Sequence, residues 1–172
     1  MDTPRFIPAR LAPYNHVPYH AYATHQPTLL EWALKGTGDI LETGCGFYST
    51  PILKAVAKAR RCRLFSLVED MKWAELVKSA GYTDVIIQVD FNKPIIPQFM
   101  TPERIDSTLH REIDTVFIDH ERTPKDRLPV IKEIMVCWNT AIVHDANHID
   151  LSAYNVVWLD SIVPETAVIT RK

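Results

Sequence analysis

The sequence predicts an α/β protein built on a doubly wound, mainly parallel sheet flanked by helices. Three observations carry this. Short apolar runs alternate with stripes of helical period through most of the chain. The stretch D-I-L-E-T-G-C-G-F-Y-S-T, Asp39–Thr50, reads as strand, glycine turn and helix start. The later predicted strands also run into acidic or acid–histidine ends.

In chain order, residues 1–26 come first. Pro4, Pro8, Pro13 and Pro18 exclude a long helix before His20, so an irregular arm is expected. It reads either as a packed surface segment or as an arm closing over a substrate, with His20, Tyr22 or His25 reaching inward. Over Pro27–Lys35, Leu29, Leu30, Trp32 and Ala33 share a helix face, and Gly36 and Gly38 end the helix. Asp39–Thr43 is the first strand. A helix over Thr50–Ala59 follows, with Pro51 in its first turn and a core-facing stripe of Ile52, Leu53, Val56 and Ala57. Arg60, Arg61 and Arg63 read as a solvated basic turn. Strand two, Leu64–Val68, ends in Glu69 and Asp70, and a helix over Met71–Ala80 closes at Gly81.

Strand three, Asp84–Val89, ends in Asp90. Pro94, Pro97 and Pro102 make the next region mostly loop, with a short helix at Pro102–His110. Asp114–Ile118 is a near-continuous apolar run, as expected of a strand buried on both faces, and it ends in Asp119 and His120. A helix over Lys125–Trp138 precedes strand five, Thr140–Val143, which ends in His144 and Asp145. Tyr154–Ile162 fits helix or strand equally, and Thr166–Thr170 reads as a final strand. The alternation fits a single domain over residues 1–172.

Composition narrows the class. With 172 residues, 47% of them apolar, the chain can bury a sizeable core. A net charge of -2 gives no general attraction to nucleic acid or to an anionic membrane. No apolar run approaches the ~20 residues that span a bilayer, and the opening M-D-T-P-R-F-I-P lacks a signal-peptide core. Cys45, Cys62 and Cys137 form no C-x-x-C pair, so reduced thiols and a cytoplasmic setting are expected.

Ligands of such sheets bind outside the carboxyl ends of the strands. There Glu42, Glu69, Asp90, Asp119–His120 and His144–Asp145 are expected to line one rim, whereas a single acid would read as a turn or cap residue. Gly44 and Gly46 let a ligand approach the backbone, and the helix start near Ser49 offers unpaired N–H groups. Glu42 would repel the pyrophosphate of a dinucleotide but suits the cationic ammonium and sulfonium of S-adenosylmethionine (SAM). Ser49 also stands where a third glycine of G-x-G-x-x-G would be. The competing reading is a strand-to-turn junction without a ligand. Glu69 falls near the ~20-residue spacing of a ribose-binding acid, while Asp70 is better suited to cap the next helix. Asp90 is a candidate for the adenine amino group, and Phe91 for stacking on adenine or for the core.

These residues resemble a class I SAM-dependent methyltransferase, through L-E-T-G-C-G-F-Y-S-T-P, S-L-V-E-D-M-K-W and D-T-V-F-I-D-H over roughly residues 28–148. Within that class, I-D-T-V-F-I-D-H-E-R and A-I-V-H-D-A-N are similar to the catechol O-methyltransferase-like group. The resemblance implies a Rossmann-like sheet with one reversed strand near its end. The chain looks short for the usual final strand pair, so truncation at the C-terminal strands is expected. It further implies a magnesium ion held by Asp119 and Asp145. The family's amide is displaced, because Ala146 follows Asp145 and Asn147 comes one position late.

The expected activity is therefore SAM-dependent methyl transfer to an oxygen of a small molecule, with cofactor contacts from Glu42, Gly44, Gly46, Ser49, Glu69 and Asp90. The acceptor must be held in line with the methyl carbon and lose a proton. Asp119, His120, His144 and Asp145 are the candidates for that work, through the metal or through a neutral imidazole. His144 and His148 beside Asp145 would make a transition-metal site only if Asp145–His148 were helical. A SAM-binding or interaction protein of the same fold without transfer activity is the alternative. Glu42 and Ser49 speak against an NAD enzyme. No basic stripe supports a nucleic-acid substrate, and D-H-E-R stands where N-P-P-[FY] would mark amino-group methylation.

Overall fold

β1 (Asp39–Thr43) is buried along its whole length, and its neighbours explain why. In the computed structural model, which describes residues 25–79, 81, 86–100, 112–120, 124–159 and 166–172, β1 lies parallel between β2 (Leu64–Val68) and β4 (Ile113–Ile118). β3 (Ile86–Gln88) extends the sheet beyond β2, and β5 (Thr140–Val143) extends it beyond β4, both parallel. β7 (Thr166–Arg171) runs antiparallel to β5 and to β6 (Tyr154–Leu159), giving a 7-stranded sheet in the order β3-β2-β1-β4-β5-β7-β6.

The expectation of a truncated end is thus corrected, since both closing strands form. Val156 pairs with Ile169 and Val157 with Val168, so the undecided V-V-W-L run is a strand. Its β-branched residues suit a pleated surface, and a short apolar run alone does not separate strand from helix.

Consecutive strand residues feed opposite faces of the sheet. Leu41, Val116, Ile118, Val143 and Ile169 join one core cluster, and Ile40, Phe117, Ile142 and Val168 join the other. α1 (Gln26–Lys35) and α2 (Thr50–Arg60) cover the second face with Leu29, Ala33, Leu53, Val56 and Ala57. The first face is covered by the short α4 (Ile96–Phe99) and by α5 (Pro124–Cys137), whose Val130, Ile131 and Ile134 point inward. α3 (Met71–Ser79) packs Ala74 and Val77 beside Val68 and Cys45. Two-sided cover is what makes the parallel strands apolar throughout.

Two local expectations change. Leu30 is 44% exposed, and Thr28 takes its place on the buried face of α1. The basic turn after α2 is not solvated as a whole. Arg60 donates to Ala33 O, Gly38 O and Thr115 Oγ1 and pairs with Asp114 at 2.8 Å. Arg63 donates Nε and Nη2 to Asp39 Oδ2, and its backbone N–H donates to Asp39 Oδ1. Both arginines thereby fasten the amino-terminal edge of the sheet, opposite the edge where the candidate residues lie. The expected arm, including His20 and Tyr22, and the helix expected at Pro102–His110 lie outside the described residues, apart from the arm's His25 and Gln26.

Candidate functional site

The site begins where β1 ends. Gly44 takes φ 85°, a backbone conformation that side chains disfavour. It also lies against the chain leaving β4, where an added Cβ would sit 2.3 Å from Asp119 O and 2.5 Å from His120 Cα. Gly46 differs, because among the described residues the nearest atom to such a Cβ is Ser49 Oγ at 3.8 Å, an ordinary contact. Trp73 of α3 flanks the loop, donating Nε1–H to Cys45 O at 2.7 Å and meeting Phe47 edge-on.

Glu42 braces this loop from inside. It is 0% exposed, and its carboxylate accepts from Ser49 Oγ at 2.5 Å, Thr50 Oγ1 at 2.9 Å and Ser66 Oγ at 3.0 Å. Thr50 Oγ1 in turn accepts from Gly46 N–H. The acid expected to face a cofactor cation is thus tied to the loop and to the start of α2, and the Ser49 hydroxyl is spent on it. Burial pushes the Glu42 carboxyl up to about 7, against the hydroxyl hydrogen bonds that favour its charge. The folded value lies above the ordinary 4.5, so the native state holds the proton more tightly. The stability this confers is present below pH 4.5 and lost as pH rises through about 7. Urea unfolding across that window should show wild type losing on the order of 3 kcal/mol relative to Glu42→Gln. Parallel profiles for the two proteins would contradict it.

Glu69 ends β2 exposed, while Asp70 caps α3 by accepting from Lys72 N–H at 2.8 Å. Asp90 is engaged in its own turn. It accepts from Asn92 N–H at 2.9 Å and pairs with Lys93 at 3.0 Å, and the hydrogen bond from the Asn92 backbone leads the contacts that hold its carboxyl below the usual range. Phe91 is in the core and stacks on His120 at 4.4 Å. His120 is buried, with Nδ1 3.3 Å from Thr43 Oγ1.

Beyond β4 and β5 the remaining candidates meet around Arg127, a residue that the sequence reading passed over. Its guanidinium donates to His120 O at 2.9 Å and to His144 O at 2.7 Å. It also lies 3.3 Å from both the Asp119 and the Asp145 carboxylates. A signal was available, because Arg127 falls in the first turn of α5, where the helix dipole disfavours a cation unless anions face it. His144 Nδ1 lies 3.1 Å from Asp119 Oδ1. Burial raises the Asp119 carboxyl, but contact with His144 and the charges of His144, His25 and Arg127 hold it below the usual carboxylate range. His25, just before α1, is 1% exposed and meets His144 edge-on at 4.5 Å. Burial pushes its imidazole down to about 4, so it is neutral at pH 7.

Magnesium does not fit the pair implied for it. The position between Asp119 and Asp145 holds a guanidinium, which already supplies the cation those carboxylates need. Asn147 is directed to His148, with Nδ2 3.2 Å from Nε2. Asp145 is left-handed at φ 53° and is followed by a 3-10 turn at Ala146–His148, so the helical spacing required for a His144–His148 pair is absent.

The strand order with its reversed β7, and a glycine turn at the carboxyl end of β1, define the class: this is the class I methyltransferase fold, a Rossmann-like sheet. Among solved structures, the chain is similar to the O-methyltransferase TomG from Streptomyces achromogenes, involved in tomaymycin synthesis and solved in complex with SAM, with a TM-score of 0.63 and 17% identity over 95% of this chain and 87% of that one. Cofactor-bound Rv0187 from MTB gives a TM-score of 0.61 and 17% identity, over 94% of this chain and 86% of that one. A methyltransferase from Pyrococcus furiosus gives 0.52 and 13%, over 87% and 82%. No protein-family model and no curated protein sequence matches the chain.

Proposed function

We propose that this protein is a SAM-dependent methyltransferase acting on an oxygen of a small molecule. The observation that carries the reading is the glycine turn from β1 to α2, uncrowded at Gly46 among the described residues, on the rim that also bears Glu69 and Asp119. The methionine part of SAM lies along the Gly44–Gly46 backbone, and Glu69 accepts from the ribose hydroxyls. Asp119, its side chain 22% exposed, faces the acceptor and takes up its proton, with His144 beside it. Glu42 and Ser49 serve the cofactor indirectly, by fixing the loop. TomG, an O-methyltransferase solved with SAM, supports both the cofactor and the class of acceptor.

Thermal shifts with SAM and with NAD test the cofactor, and stabilisation by SAM alone is expected. Radiolabelled methyl transfer to catechols, sugars and carboxylates tests the reaction. Tight SAM binding with no transfer to any acceptor would favour a SAM-binding protein without transfer activity. Glu69→Ala is expected to weaken SAM binding about tenfold or more, through loss of charge-assisted hydrogen bonds. Asp119→Ala is expected instead to lower turnover about a hundredfold with SAM affinity retained. Equal losses of SAM affinity in the two variants would contradict this division.

A further inference from the structure

We propose that His25, Asp119 and His144 form a binding site for one divalent transition-metal ion, of the zinc or iron(II) kind. Each side chain offers a ligand atom, and these atoms all lie within 4.8 Å of one another. They converge from three separate places: the residue before α1 and the ends of β4 and β5.

His25 is the telling member. It is 1% exposed, and neither of its ring nitrogens has a hydrogen-bond partner among the described residues. Burying polar atoms unpaired is costly, and both the Phe117 and His144 rings hold this imidazole in place, at 5.1 and 4.5 Å. A metal ion bound to one nitrogen turns that cost into a ligand bond.

Two imidazoles and one carboxylate suit zinc with an open coordination position, or iron(II), rather than the all-oxygen preference of magnesium. His144 Nδ1 and Asp119 Oδ1, 3.1 Å apart, already stand near the separation of two ligands on one ion, and a His25 ring nitrogen completes a group whose atoms lie within 4.8 Å of one another. Arg127 sits 3.3 Å from Asp119 Oδ1 and orients that carboxylate. The ligand set shares only Asp119 with the magnesium pair implied by the sequence.

The test uses the full chain, stripped with a chelator and then titrated with zinc by calorimetry and with cobalt(II) as a spectroscopic probe. One ion per chain is expected, with paramagnetically shifted imidazole resonances from two histidines. His25→Phe keeps a ring against Phe117 and is expected to weaken zinc binding about tenfold or more, with its unfolding midpoint in chelator close to wild type. Should that variant fail to fold, the cobalt resonances of the wild type decide alone. No uptake by wild type, equal uptake by a folded His25→Phe, or magnesium binding as tightly as zinc overturns the site. Zinc uptake by a chain that does not bind SAM would leave this site standing and remove the proposed function; SAM binding without zinc uptake would do the reverse.

Discussion

Arg127→Met is expected to destabilise the protein by about 3–5 kcal/mol, because it leaves two carboxylates facing each other without their shared cation. Two carbonyl oxygens, those of His120 and His144, lose their donors in the same step. Urea unfolding at neutral pH reads the loss directly. Arg127→Lys should recover only part of it, since an ammonium cannot reach two carbonyls and two carboxylates at once. A Met variant within about 1 kcal/mol of wild type would show that the pairs at 3.3 Å are solvated surface contacts.

Gly44→Ala should be nearly as damaging. A side chain at φ 85° costs about 1–3 kcal/mol by itself. The collision with Asp119 O and His120 Cα adds about 1–3 kcal/mol, because backbone rather than a flexible side chain must move. The same substitution two residues on gives the contrast. Gly46→Ala meets nothing closer than 3.8 Å among the described residues, so its unfolding midpoint should stay near wild type while SAM affinity falls. Calorimetry and denaturant melts on both variants separate the two roles. Similar melts for both would place the loop elsewhere than against the end of β4.

Much of the framework was legible because it depends on local patterns. The runs at Asp39–Thr43, Leu64–Val68 and Thr140–Val143 are strands with the expected bounds. Pro51 and the stripe through Leu53, Val56 and Ala57 marked α2. What escaped was set by distant partners. Leu30 looked like a core residue until the packing of α1 against α2 chose Thr28 instead. Arg60 and Arg63 looked solvated because Asp39 and Asp114 lie far from them in sequence. The closing strands were undervalued because V-V-W-L has no period of its own and forms its strand only against β7.

The candidate site shows the same division. The rim was foreseen from strand ends, but the orientation of each side chain was not. Glu42 turns inward because Ser49, Thr50 and Ser66 offer hydroxyls there, and Asp90 is held by its own turn. Arg127 could enter the picture only through the meeting of β4, β5 and α5. His25 stood among the arm residues expected to reach inward, and it is the one whose position is described.

The arginine clasps at the foot of the sheet carry a practical consequence. Arg60 and Arg63 stitch one hem of the fabric, joining the helices and strand starts with charge-assisted bonds. The opposite hem, which bears Gly46 and Glu69, is drawn together by Arg127 instead. Weakening the arginine clasps at the foot should make the protein melt sooner without changing what it holds, so robustness and ligand choice can be altered separately.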